Sequence, residues 1–64
     1  MTIKECRTMA GLTCTQVAAM MGIPVLKYKK YENDASKMSI IEAKLFSRIV
    51  GVDYDDIFFA RYSI

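Results

Sequence analysis

Apolar and polar positions along the chain fall into short runs, and most runs open on the same device. A short oxygen-bearing side chain is followed three residues later by an acid or amide that can reach back to the first backbone N–H. The pairs are Thr2 with Glu5, Thr13 with Gln16, Ser39 with Glu42 and, in weaker form, Asp53 with Asp56. Gly11, Gly22 and Gly51 stand where a left-handed residue would end the first, second and fourth runs. Pro24 suits the first turn of a third helix and forbids the second from running through. The pattern predicts helices near 2–10, 14–21, 24–32, 39–50 and 53–59, a loop at "NDASKM" and a short tail. No apolar/polar alternation bounded by hairpin turns occurs, so no strand is expected. The predicted core takes Ile3 and Cys6, then Val17, Ala18 and Met21, then Ile41, Leu45 and Ile49 with the neighbouring Ile40.

The third helix carries the most informative pattern. At about 100° per residue, Pro24, Tyr28 and Tyr31 share one face, Leu26, Lys30 and Asn33 point the opposite way, and Lys27 and Lys29 flank them. Tyrosines at helical spacing are read as anchors in the core. A lysine cluster alone is more often a solvated face than a binding surface; on an anchored helix that follows a short turn, it is shaped to meet something negative.

Composition narrows the field. A chain of 64 residues is expected to be a single domain, because a body of that size buries only about 60% of the surface its unfolded chain exposes. Just over half the residues are apolar, which suggests a core plus an apolar interface. The net charge is +2, with Lys27, Lys29, Lys30 and Lys37 gathered mid-chain and Asp53, Asp55 and Asp56 near the end. Those acids suit the amino end of a helix without any metal. With no histidine, Cys6 and Cys14 cannot build a four-ligand zinc site or a cysteine–histidine nucleophile within one copy. They read as reduced thiols of a cytoplasmic protein, a disulfide being the minority alternative. No catalytic set, cofactor or metal is expected, and the longest uncharged stretch, Leu12 to Leu26, is too short and too interrupted to span a bilayer.

The order of these segments resembles the helix-turn-helix domains of Cro and lambda-repressor type, the XRE family. "IKECRTMAGLT" resembles the family's first helix and Gly-Leu-Thr corner, and "VAAMMGI" its second helix and turn. "YKKYEND" resembles the close of its recognition helix, and "AKLFSRIVGVDYDDIF" its final segment. The resemblance covers residues 3 to 59 and implies an all-α, five-helix lambda-repressor-like domain whose helices 2 and 3 form the helix-turn-helix. It also implies that the third helix enters the major groove, with Val25, Leu26, Lys29 and Lys30 at base-reading positions. Cys14, Thr15, Gln16, Lys27, Asn33 and Lys37 fall at phosphate-contacting positions, and Arg7 and Glu32 form a structural ion pair.

Three departures mark this chain. Cys14 replaces the usual glutamine, Pro24 the usual hydroxyl cap, and Asp34 the glycine after asparagine. Val25 and Leu26 cannot hydrogen-bond a base but can pack on thymine methyls, so the expected readout leans on T-rich steps, lysines and DNA shape. Phe58, Phe59, Tyr62 and Ile64 are more apolar bulk than one small domain can bury, so some are expected to close the core and others to form a homodimer contact, for which all four are candidates. The expected partner is therefore a double-stranded, inverted-repeat operator, and the expected role is that of a Cro-like repressor from a phage or its bacterial host. An antitoxin or antirepressor binding a protein partner, and an interaction module that has lost DNA binding, are the alternatives.

Overall fold

The computed structural model describes residues 1–59, with side chains through Phe58. Four α-helices follow in order: α1 (Ile3–Met9), α2 (Cys14–Met21), α3 (Val25–Asn33) and α4 (Ile40–Val50). A single 3-10 turn, Ala35–Lys37, joins α3 to α4, and a π-helical turn, Asp55–Phe59, follows α4. No strand occurs among the described residues.

The caps explain where the helices begin. Thr2, Thr13 and Ser39 each accept from the backbone N–H three residues on, and Glu5, Gln16 and Glu42 each accept from the cap's own N–H. The two bonds satisfy donors that a helix start otherwise leaves open. The Asp53–Asp56 pair behaves differently: Asp56 donates to the Asp53 carbonyl, backbone to backbone, at 3.0 Å. In place of the expected fifth α-helix stands the π turn Asp55–Phe59. Pro24 precedes α3 as its cap residue, with an extended ψ of 145°, and so lies just outside the helix that it was expected to open. Asp34 accepts from the Ser36 N–H, which turns part of the expected loop into the 3-10 turn.

Gly22 sets the corner between α2 and α3. Its φ of +73° is the left-handed conformation that glycine adopts without steric cost. The turn lets the Ile23 N–H reach the Ala18 carbonyl at 3.0 Å. Ala18, 2% exposed, leaves room for the approach. Two helices are thereby joined by three residues, with α2 packed against both α3 and α4.

The core gathers Ile3, Cys6, Val17, Ala18, Met21, Tyr28, Tyr31, Ala43, Phe46, Ile57 and Phe58. Tyr28 and Phe46 stack with centroids 6.3 Å apart. Two expectations are corrected here. On α4 the buried residues are Ala43 and Phe46, whereas Ile40, Ile41 and Leu45 are exposed and Ile49 is half-buried. Phe58, a candidate for the dimer contact, is instead the one of its group that closes the core, 7% exposed with its ring 5.0 Å from that of Tyr54. The side chain of Phe59, and the whole of Tyr62 and Ile64, lie outside the described residues.

These positions separate two classes of α4 residue. Phe46→Ala should destabilise the chain by about 3–5 kcal/mol, because it empties a fully buried site beside Tyr28. Ile41→Ala should stay within about 0.5 kcal/mol of the parent. Urea denaturation followed by far-UV circular dichroism measures both; equal costs would contradict the assignment of the core face.

Candidate nucleic-acid interface

The third helix is fixed from below by two phenols. Tyr28 is fully buried and Tyr31 is 5% exposed. Each hydroxyl finds a carboxylate at the edge of the core: Tyr28 donates to Glu32 at 2.8 Å, and Tyr31 to Glu42 at 3.0 Å. Burial, then the hydrogen bond and charge of Glu32, push the Tyr28 hydroxyl far above its ordinary pKa, so it remains a donor.

Glu32 is the hub of this arrangement. Its Oε2 receives both the Tyr28 hydroxyl and the Arg7 Nε–H, the latter at 2.6 Å. Arg7 also donates from Nη1 to the Leu12 carbonyl at 2.9 Å, which ties the α1–α2 corner to the same point. The pair is shielded, at 12% and 13% side-chain exposure. Partial burial pushes the Glu32 carboxyl up, but the Arg7 and Tyr28 hydrogen bonds and the Arg7 charge outweigh it and hold the group below its ordinary value. Glu42 makes a second, more exposed junction. It accepts from the Ser39 N–H and from Tyr31, and its Oε2 lies 3.8 Å from Lys27 Nζ.

The opposite face of α3 is open. Leu26 is 70% exposed, and Lys27, Lys29, Lys30 and Asn33 are exposed with it. No acid stands on that face, because the helix's one carboxylate, Glu32, is turned to Arg7 and Tyr28. Thr15 and Gln16 are exposed at the amino end of the neighbouring α2. The Gln16 carbonyl oxygen is committed to the Thr13 N–H at 2.8 Å, which leaves its NH2 to donate outward. Lys37 is exposed on the 3-10 turn.

Residues 3–57 match the model of the HTH_3 helix-turn-helix family. The chain belongs to that family. No curated protein and no solved structure matches it. HTH_3 domains are DNA-binding regulator domains, not typically enzymes, and the helix-turn-helix here is formed by α2 and α3.

Within this helix-turn-helix, two positions read from sequence as DNA contacts are placed differently. Val25 is half-buried and packs against the core, which leaves Leu26 as the projecting member of the apolar pair. The Cys14 side chain packs inward, its Sγ 3.9 Å from Glu32 Oε1, so only its backbone N–H remains for an outside anion. The thiol thus adds a weak donor to the Glu32 hub. Cys6 and Cys14 are both free thiols. Sequence reasoning missed the tyrosine–glutamate bonds altogether, although the i, i+4 spacing of Tyr28 and Glu32 was a signal for one of them. Among the described residues no cluster of side chains could hold a metal ion, and no helix is long and apolar enough to cross a membrane.

Glu32→Gln removes the charged acceptor shared by Arg7 and Tyr28, and should cost about 2 kcal/mol at neutral pH. The folded carboxyl titrates below its ordinary 4.5, so the parent's advantage is complete above that pH and is lost as pH falls through the lower folded value. Urea denaturation at a series of pH values should therefore give parent and variant stabilities that converge in acid. A gap that widens in acid would contradict the reading.

Proposed function

We propose that this chain is a sequence-specific double-stranded DNA-binding regulator of Cro-like repressor type, with α3 laid in the major groove. The supporting observation is the face of α3 itself: Leu26, Lys29, Lys30 and Asn33 project from a helix whose opposite side is fixed by two buried tyrosines. A rigid helix that offers cations on one side is suited to phosphate and base edges at little ordering cost.

In this reading Lys29 and Lys30 reach base-edge acceptors such as guanine O6 and N7, and Leu26 packs on thymine methyls. Val25 contributes at most the outer edge of its side chain beside Leu26. Phosphates meet the backbone N–H groups of Cys14 and Thr15 at the amino end of α2, where helix donors are open and the dipole favours an anion. The Gln16 NH2, Lys27, Asn33 and Lys37 extend that contact along the strand. Lys27 exchanges its long contact with Glu42 for a phosphate, an exposed pair of that kind being weak.

A homodimer would carry two copies of α3 into successive major grooves about 34 Å apart and would so read an inverted repeat. Phe59, Tyr62 and Ile64 are assigned to the contact between copies, Phe58 having been taken into the core.

Two measurements test this function. Lys30→Ala should weaken duplex binding and make the slope of log affinity against log salt shallower by about 0.9, the share of one released counterion. An unchanged slope would remove Lys30 from the interface. Random duplexes selected by the protein and then rebuilt with uracil for thymine should bind the parent more weakly, but should bind Leu26→Ala no more weakly than their thymine counterparts. Equal losses in both proteins would contradict the methyl contact.

A further inference from the structure

The outward face of α4 is a second surface that the DNA reading does not use. Ile40 and Ile41 are 66% and 81% exposed, and Leu45 is 37% exposed. Lys44 and Arg48 are exposed among them, and no ion pair holds either one among the described residues. At about 100° per residue these five positions share one arc, opposite the buried Ala43 and Phe46. The helix's one acid, Glu42, does not join them, because its carboxylate is committed to Ser39, Tyr31 and Lys27. The face is apolar and cationic and carries no acid.

We propose that this face docks an acidic amphipathic helix of a partner protein, its apolar residues packing on Ile41 and Leu45 and its carboxylates meeting Lys44 and Arg48. Charge complementarity selects this occupant. A second copy pairing this face with itself would bring two Lys44 and two Arg48 side chains together with no acid of either face to offset them, and like charges in an interface suppress pairing. A phosphate backbone would satisfy the cations but would cover Ile40, Ile41 and Leu45 with polar surface, which gains nothing from them. Around α4, Ile40 and Lys44 stand about 160° from Glu42, the side chain that reaches α3, Arg48 about 120°, Ile41 about 100° and Leu45 about 60°. The cationic half of the face is thus turned away from the side of α4 that meets α3.

The test uses the full chain and a synthetic helical peptide with leucines at i, i+3, i+4 and i+7 and glutamates on both flanks. Saturable amide shifts at Ile40 to Arg48 in nitrogen-15 spectra are expected, together with binding of the labelled peptide measured by anisotropy. Ile41→Asp should lower the affinity about tenfold or more, while the far-UV spectrum and duplex binding stay unchanged. The double variant Lys44→Glu with Arg48→Glu should lose this peptide and take its lysine-flanked counterpart instead.

Absence of saturable binding, or equal binding of both peptides by parent and double variant, would overturn the proposal. So would an Ile41-dependent dimer in sedimentation equilibrium, or duplex-induced shifts centred on the same amides. A chain that takes the peptide but binds no duplex would overturn the DNA reading and leave this proposal standing; the reverse result would overturn this proposal alone.

Discussion

Two phenol hydroxyls inside a small helical body must be satisfied, and most of the architecture follows from how that is done. Tyr28 and Tyr31 bury their rings under α3, and a buried hydroxyl without a partner is costly enough to threaten a domain of this size. Glu32 and Glu42 stand at the rim of the core to accept them. Each carboxylate then needs its own compensation. Arg7 supplies it to Glu32 from α1, and the Ser39 cap supplies it to Glu42 from the start of α4. Helices α1 and α4 are thus both fastened to α3 by charge-assisted bonds.

That fastening governs what α3 can present. Its acid is drawn to the inner edge, where it serves the core, and its lysines are left without an acid on their own face. Lys27 alone is drawn toward a carboxylate, at 3.8 Å from Glu42 and with its side chain 52% exposed. Gly22 and Ala18 contribute by closing the turn tightly, so that the amino end of α2 and the outer face of α3 belong to one rigid piece. Positioning of this kind lets few residues carry recognition, because little order remains to be created on binding.

Much of this was legible in the sequence, for identifiable reasons. Capping boxes fix helix starts locally, so Thr2, Thr13 and Ser39 could be read without knowledge of packing. The tyrosine spacing on α3 gave its buried face, and the order of turn and helix segments gave the helix-turn-helix. On α4 the reading failed because apolar side chains lie on both sides of the helix. The bulky Ile40, Ile41 and Leu45 suggested the wrong one, while small Ala43 and Phe46 take the core. Which side of α4 meets the neighbouring helices, which a sequence does not display, decides that choice. Phe58 lies in the core on a π turn, together with Ile57, where the sequence pattern predicts a continuous α-helix. Cys14 was read by its place at a helix start, whereas its nearness to Glu32, eighteen residues on, is a tertiary fact.

The most direct test is a map of backbone amides as duplex DNA, selected from a random pool, is added to the nitrogen-15-labelled chain. Shifts should gather at Thr15 and Gln16 and at Leu26, Lys29, Lys30 and Asn33, with the outward face of α4 quiet. Shifts confined to α4, or none on α3 at saturating DNA, would contradict the view that the anchored tyrosines exist to hold that helix against DNA.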